Sequence, residues 1–245
     1  MGKRFDDNFS IGSIYRLEQI DIKDLDSNVS ADLAAEEGSN VVSSLGFNTT
    51  TDYRDSTLSP TSGWIWGNNA DLAGGPLGGD KDFYRLQTSG TYYIPLKLED
   101  WVSVLSFTGR TGVVKAYGST DRVPIFERYF AGGASSIRGY NERKVGPLDS
   151  VSGDPVGGEA LMVGSAEYTI PIVEIIKGAI FFDAGNVWSK AKDYGQGGYK
   201  TGAGVGLRVK TPIGPIKLDY GIPLNEEDGE EEKSGKFYFS VSRGF

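Results

Sequence analysis

The chain of 245 residues contains no cysteine and no histidine. Without cysteine it can form no disulfide framework, no thiolate nucleophile and no cysteine-ligated metal site. Without histidine it lacks the usual general base and the commonest zinc ligand. Any catalysis would have to rest on carboxylates, lysine or tyrosine. We therefore expect neither a metal site nor a cofactor.

Long apolar runs are also missing. No stretch of about eighteen apolar residues occurs, so the sequence predicts no membrane-spanning helix. Basic residues stand near the start, but no apolar segment follows them, and this is not the pattern of a secretory signal. Acidic residues outnumber basic ones by 33 to 25, and the net charge of −8 argues against nucleic acid as the main partner.

Glycine and aromatic residues are abundant, and apolar residues recur with a period of two along most of the chain. In residues 199–211, for example, one face carries Tyr199, Ala203, Val205 and Leu207, and the other carries Gly202, Gly204, Gly206 and Arg208. The alternating segments run for about ten to fourteen residues, which is long for soluble strands and suits tilted membrane-spanning strands. Aromatic residues near the segment ends resemble interfacial girdles: Tyr53, Trp64, Tyr92, Trp101, Tyr168, Trp188, Tyr199 and Phe245.

Ten alternating segments are predicted as strands, at about residues 9–23, 40–54, 62–72, 83–95, 101–117, 159–170, 177–188, 199–211, 214–223 and 236–245. Short connections alternate with longer ones rich in glycine, aspartate, serine or glutamate, and the longest covers about residues 118–158. Outer-membrane barrels combine short turns with long outer loops in this way. We therefore predict an all-β fold, a transmembrane antiparallel up-and-down β-barrel, as a single domain over residues 1–245.

Three segments resemble ligand-binding motifs, but we interpret each as an ordinary loop or strand feature. Residues 24–28 begin like a calcium loop but lack the glycine at its sixth position. The glycines of residues 202–206 lie inside a strand rather than at a strand-to-helix turn, so we expect them to clear room on the inner face and not to bind a nucleotide. The acidic run of residues 226–232 is expected to be a solvated outer loop, with cations that bridge lipopolysaccharide as occasional visitors.

The long loop is different because four aromatic residues, two arginines and three glycines crowd its centre, over residues 126–140. The sequence there reads Phe-Glu-Arg-Tyr-Phe-Ala-Gly-Gly-Ala-Ser-Ser, followed by Ile137, Arg138, Gly139 and Tyr140. This segment resembles the sixth-loop motif of the BamA superfamily of outer-membrane assembly and translocation barrels. Further blocks agree in the same order: residues 52–55, 157–160, 181–188, 212–216 and 236–245. The resemblance covers essentially the whole chain.

The resemblance implies that Arg138 reaches into the lumen and meets acidic residues of the inner wall, here Glu167 and Asp183. The alternation independently places both carboxylates on the face away from lipid, where a charge is less costly. A guanidinium can hold two carboxylates in fixed geometry. We therefore expect a latch between the loop and the wall.

The resemblance also implies an opening between the first and last strands of the family's barrel, where a client strand pairs with an exposed edge. The matching closing strand is residues 236–245, whose outward residues are Phe237, Phe239, Val241 and Phe245. The implied partners are the outer-membrane bilayer with its lipopolysaccharide and unfolded outer-membrane protein clients. Accessory lipoproteins of an assembly complex are further candidates, and the implied location is the bacterial outer membrane.

Two departures from the family pattern stand out. The family has periplasmic POTRA domains ahead of its barrel, and no POTRA domain is expected in this chain. The family barrel has about sixteen strands, whereas ten are predicted here, either as part of a larger barrel or as a reduced barrel in which the strand at residues 9–23 closes onto the last strand. A barrel of about ten strands leaves little room for a loop of about forty residues. This crowding would move the latch to the mouth or prevent it.

The leading functional hypothesis is an assembly factor that inserts other barrels without covalent chemistry. Alternatives are a secretion pore of the two-partner type and a truncated or engineered barrel fragment with no activity of its own. A hydrolytic enzyme is not expected, because Arg138 would keep Glu167 and Asp183 ionised. Neither carboxyl group could then donate a proton as a general acid.

Overall fold

The computed structural model describes residues 2–26, 29–98, 101–211, 215–225 and 234–241. These residues form eleven strands, and apolar residues alternate along the ten longer ones. They are β1 (Gly2–Arg4), β2 (Phe9–Ile22), β3 (Gly38–Asp52), β4 (Gly63–Ala73), β5 (Phe83–Leu98), β6 (Trp101–Ala116), β7 (Ala160–Val173), β8 (Ile176–Trp188), β9 (Lys200–Val209), β10 (Ile216–Pro223) and β11 (Lys236–Val241). The helical elements are short: α1 (Ala31–Ala34) and the 3-10 turns Gly75–Leu77, Ile125–Glu127 and Ala191–Asp193.

The all-β prediction is confirmed, and each of the ten predicted strands has its counterpart in β2–β11. The additional strand, β1, has three residues and pairs with β2 through Gly2, Lys3 and Arg4. Its glycine and two basic residues carry no apolar alternation, so the periodicity could not reveal it. In the described part of the chain, no helix is long and apolar enough to cross a membrane.

The strands form one antiparallel sheet in which each strand lies beside its neighbours in sequence, from β1 to β11. The sheet is open. Among the described residues β2 pairs with β1 and β3 and not with β11, so the suggested closure of the strand at residues 9–23 onto the last strand is not observed, and the alternative of a part of a larger barrel stays a prediction. β3 pairs with one side of β2 without interruption, from Phe9 opposite Thr51 to Ile22 opposite Gly38. On the other side, β1 pairs with residues 10–12 of β2.

The two faces of the sheet differ in character. One face exposes a band of large apolar side chains, as expected where strands contact lipid: Phe47, Trp66, Leu86, Phe107, Ile180, Phe182, Val205, Leu207, Phe237 and Phe239. Trp188 departs from the predicted girdle because it is buried against the rings of Tyr194 and Tyr199. The opposite face is polar and glycine-rich and carries the loop between β6 and β7.

This loop, residues 117–159, is called the long loop below. Its buried residues Val123, Ile137, Tyr140 and Val145 share one apolar cluster with strand residues including Val42, Phe83 and Val114. The long loop also contacts side chains from β2 at one end of the sheet to β11 at the other, so the sheet curves around it. We call the face of the sheet toward the long loop the concave face. The expected crowding does not occur, because an open sheet sets no fixed lumen diameter.

Candidate functional site

The long loop has an internal framework of short pairings that holds its central motif in place. Tyr129 bridges Gly158 near the loop ends, and Ala131 bridges Val145 further in. Between these two residues the backbone N–H of Gly133 donates to the carbonyl oxygen of Tyr140 at 3.1 Å. The motif 137–140 is therefore presented on a constrained hairpin-like segment and not on a loose chain.

Arg138 projects from this segment onto the concave face, and the residue is 7% exposed. Its Nε donates to Oδ2 of Asp183 at 2.7 Å, and its Nη2 donates to Oδ1 of the same carboxylate at 2.8 Å. Its Nη1 lies 3.1 Å from Oε2 of Glu167 and 3.3 Å from Oδ2 of Asp219. Its Nη2 also reaches Oγ of Ser165 at 3.1 Å. The guanidinium thus holds one carboxylate with two hydrogen bonds and touches two more.

A second arginine completes the cluster. Arg208 on β9 donates from Nε and Nη2 to Glu167, at 3.0 and 2.6 Å, and from Nη1 to Asp219 at 2.6 Å. We call Arg138, Glu167, Asp183, Arg208 and Asp219 the latch cluster. Its wall residues come from four consecutive strands, β7 to β10. Three carboxylates face two guanidinium groups in this cluster. Lys217 lines a cavity next to Arg138, Glu167, Asp183 and Asp219, so the formal charges of these six side chains sum to zero.

The environment of Arg138 favours its charged form. Burial by itself lowers the pKa of Arg138, but the hydrogen bond and charge of Asp183, together with the charges of Glu167 and Asp219, outweigh it and raise that pKa above its ordinary value. The guanidinium also stacks on the ring of Phe181, 3.4 Å from its centroid. Such a network of ion pairs can fix the position of a loop.

The neighbours of Arg138 in the motif each make a distinct contact. Ile137 is fully buried in the apolar cluster. The hydroxyl of Tyr140 donates to the carbonyl oxygen of Asn225 at 2.8 Å, and its own carbonyl oxygen accepts from the Tyr238 hydroxyl at 2.7 Å. Gly139 has a φ of +106°, a conformation that side-chain-bearing residues rarely adopt.

The strand glycines explain how the long loop can lie so close to the wall. A Cβ atom on Gly202 of β9 would lie 1.9 Å from the carbonyl oxygen of Arg138. A Cβ atom on Gly221 of β10 would lie 2.8 Å from the backbone nitrogen of Gly139. Only glycine at these positions leaves space for the backbone of the motif.

The long loop has a second ionic anchor at Glu127, on the N-terminal side of Arg138. Glu127 is 2% exposed, and its two carboxylate oxygens accept hydrogen bonds at 2.6 Å from Arg16 of β2 and Arg85 of β5. Nearby, Arg128 donates to Asp32 at 2.8 Å. The long loop is therefore held by two sets of ion pairs. Its carboxylate Glu127 binds arginines of β2 and β5, and its guanidinium Arg138 binds carboxylates of β7, β8 and β10.

The structure brings together the three residues proposed for the latch, Arg138, Glu167 and Asp183. Sequence reasoning missed Arg208 and Asp219, although the alternation had placed both on the inner face. It also missed Glu127, which lies within the motif segment but was given no partner. Of the proposed closing-strand residues, Phe237, Phe239 and Val241 project from the exposed apolar face of β11, whereas Phe245 and the acidic run 226–232 lie outside the described residues.

An antiparallel sheet with a lipid-type apolar face and a long loop fixed on its polar concave face defines the class of outer-membrane β-barrels. A family model described as the Omp85 superfamily domain matches residues 1–245. The chain belongs to the Omp85 superfamily and is an integral protein of the bacterial outer membrane. The resemblance deduced from the loop motif is therefore confirmed.

The similar proteins carry the names of assembly factors or of an assembly machinery component. The chain is 35% identical over 239 residues to the outer membrane protein assembly factor BamA of Nitratidesulfovibrio vulgaris, covering 96% of this chain and 30% of that protein. It is 29% identical to BamA of Neisseria meningitidis, covering 78% and 27% respectively. It is also 29% identical to the sorting and assembly machinery component 50 homolog of Mus musculus, covering 80% and 44%. The chain thus spans less than half the length of these relatives.

A solved structure shares the fold. The crystal structure of BamA from Haemophilus ducreyi lacking POTRA domains 1–3 superposes with a TM-score of 0.78 at 22% identity, over 98% of this chain and 53% of that one. The structure of CdiB from Acinetobacter baumannii superposes with a TM-score of 0.60 at 15% identity, over 98% of this chain and 40% of that one.

Proposed function

We propose that this chain is the barrel module of an outer-membrane protein assembly factor. The observation that carries the proposal is the latch cluster, in which the long loop is fixed to four consecutive strands of a chain that resembles assembly factors over nearly its whole length. Unfolded outer-membrane proteins are the proposed substrates, and the chemistry is non-covalent.

The proposed mechanism combines strand-edge pairing with local thinning of the bilayer. A client strand would add to the edge of the sheet through main-chain hydrogen bonds. The outward residues Phe237 and Phe239 of β11, which are 85% and 66% exposed, would disturb lipid packing next to that edge. The latch would keep the long loop on the concave face while the edge strands separate. Accessory lipoproteins are proposed partners at the short-turn side.

The secretion-pore alternative has less support, because the relatives compared above from Nitratidesulfovibrio vulgaris and Neisseria meningitidis carry the names of assembly factors. An enzymatic function has no support from the site, whose three carboxylates are all engaged by arginine.

The experiment is a folding assay in liposomes. The chain is first refolded into liposomes and shown to migrate as a compact, heat-modifiable band. An unfolded outer-membrane barrel is then added, and its folding rate is compared with that in protein-free liposomes. We expect a faster rate with the chain present and a loss of that acceleration in Arg138→Ala. A compact band without any acceleration would refute the proposed function for this chain.

A further inference from the structure

Arg110 on β6 is a partly buried cation with no counter-charge in the described part of the chain. It makes neither a hydrogen bond nor an ion pair with any described residue, and its Nε atom is buried without a partner. Its strand neighbours are Ser89 on β5 and Val163 on β7. Neither of them supplies an acid.

The other arginines beneath the long loop are paired. Arg138 and Arg208 bind the latch carboxylates, Arg16 and Arg85 bind Glu127, and Arg128 binds Asp32. A partly desolvated guanidinium without such a partner is costly, because the lost hydration is not replaced. An arrangement of this kind points to an anion that is bound only during function.

The carboxylates of the latch do not supply that charge. Glu167, Asp183 and Asp219 are already balanced by Arg138, Arg208 and Lys217. The phenol of Tyr129 does not supply it either, because burial raises the pKa of Tyr129 to about 12 and the group is uncharged at neutral pH.

Arg110 lines a cavity of about 440 Å³ between the long loop and the concave face. The other lining side chains include hydroxyl groups from β5, β6 and the long loop, which can donate to an oxyanion: Ser89, Thr91, Thr108 and Ser135. Thr91 and Thr108 lie 3.1 Å apart and share one hydrogen bond, so one of these two hydroxyl protons remains for a ligand. The Ser165 hydroxyl also lines the cavity but donates to Asp183 at 2.6 Å. Ser135 belongs to the exposed tip of the long loop, two residues before the motif 137–140. The cavity therefore has one wall on the sheet and one on the loop that the latch holds.

We propose that this cavity binds a carboxylate group of a polypeptide that enters the concave space, with Arg110 as the charged anchor and the hydroxyl groups as further donors. Guanidinium groups match the geometry of carboxylates and phosphates. The site faces away from the apolar surface, so a lipid phosphate could reach it only by drawing acyl chains into a polar space. This inference rests on the proposed function, because an unfolded client is the source of the polypeptide.

The test uses the full chain refolded in detergent and two labelled short peptides of the same sequence, one with a free terminal carboxylate and one amidated. We expect the free-acid peptide to bind about tenfold more tightly than the amide, and Arg110→Gln to abolish that difference. Lys115→Gln is the matched control, because Lys115 is exposed on the opposite face of the same strand. Arg110→Lys should retain part of the preference.

A second measurement needs no mutation and is unaffected by misfolded variants. Phenylglyoxal modifies accessible arginines, and mass spectrometry locates the modified residue. We expect Arg110 to be modified in the free chain and protected by the free-acid peptide. Protection by inorganic phosphate alone, or by phosphatidylglycerol micelles alone, would overturn the polypeptide assignment. Equal affinity for the two peptides would overturn it as well.

The outcomes separate this inference from the proposed function. If the chain binds the peptide through Arg110 but does not accelerate client folding, the site stands and the proposed function fails. If the chain accelerates client folding and Arg110→Gln leaves peptide binding unchanged, the site fails and the function stands.

Discussion

Oδ2 of Asp183 accepts two hydrogen bonds from Arg138, one from the side-chain Nε at 2.7 Å and one from the backbone nitrogen at 3.0 Å. The strand carboxylate therefore fixes both the guanidinium and the main chain of the long loop. A lysine at position 138 could preserve the positive charge but could not form the bidentate hydrogen bonds of the guanidinium with Asp183. The position of the loop motif is thus tied to the side chain of one strand residue.

Replacement of Arg138 by alanine should strongly destabilise the chain. The variant leaves Asp183 fully buried without its cation and Glu167 and Asp219 with Arg208 alone, and breaking a buried ion pair in this way costs about 3–5 kcal/mol. The free energy of unfolding in urea and the heat-modifiable gel shift measure the loss. Arg122→Ala is the control, because the Arg122 side chain is 70% exposed in the same loop. Equal stability of the two variants would contradict the latch.

Gly202→Ala should displace the long loop while leaving the strands paired. Its Cβ atom would lie 1.9 Å from the carbonyl oxygen of Arg138, and overpacking of this kind costs about 1–3 kcal/mol. Limited proteolysis within residues 117–159 measures the release of the loop. Gly109→Ala is the control, since a Cβ atom there meets nothing within 4 Å. Similar cleavage rates in the two variants would show that the loop does not need close approach at Gly202.

Glu127→Gln should loosen the long loop at its other anchor. Arg16 and Arg85 would both lose a charged acceptor, which lowers the free energy of unfolding by about 2 kcal/mol. Chemical denaturation checks the value. Glu18→Gln serves as the comparison, because Glu18 is half-exposed and pairs with Arg16 alone. If both variants unfold at the same denaturant concentration, Glu127 is not an anchor.

The turn between β3 and β4 should be stable to low pH. Burial alone would raise the pKa of Asp55, but hydrogen bonds from Thr61 and Ser62 lower it to about 2. Because the folded pKa lies below the unfolded value of about 3.9, the stabilisation is present above that value and is lost as the pH falls through 2.

The corresponding measurement compares wild type and Asp55→Asn across this pH range. The side chain of Asp55 is solvent-exposed, so its contribution should stay below about 1 kcal/mol. We expect the two proteins to differ in stability at pH 7 and to converge near pH 2. A constant difference at both pH values would mean that ionised Asp55 does not hold the turn.

The sequence alone determined the ten longer strands and their faces. A period of two puts every second residue on one side of a strand, so Glu167, Asp183, Arg208 and Asp219 had to share a face once the strands formed. The Arg138 motif and its two expected acidic partners followed from the family resemblance. These are local or family-level patterns, and they are visible before the chain is folded.

Only the tertiary structure decided how distant segments meet. Alternation does not state how far a sheet curves or whether it closes, and so it could not place Arg208 and Asp219 around Arg138 or leave β2 between two neighbours. Glu127 and its partner Arg16 are 111 residues apart in sequence, and no local pattern joins them. The ion pairs form because a curved sheet brings remote strands to one loop, and that curvature belongs to the whole sheet rather than to any one segment.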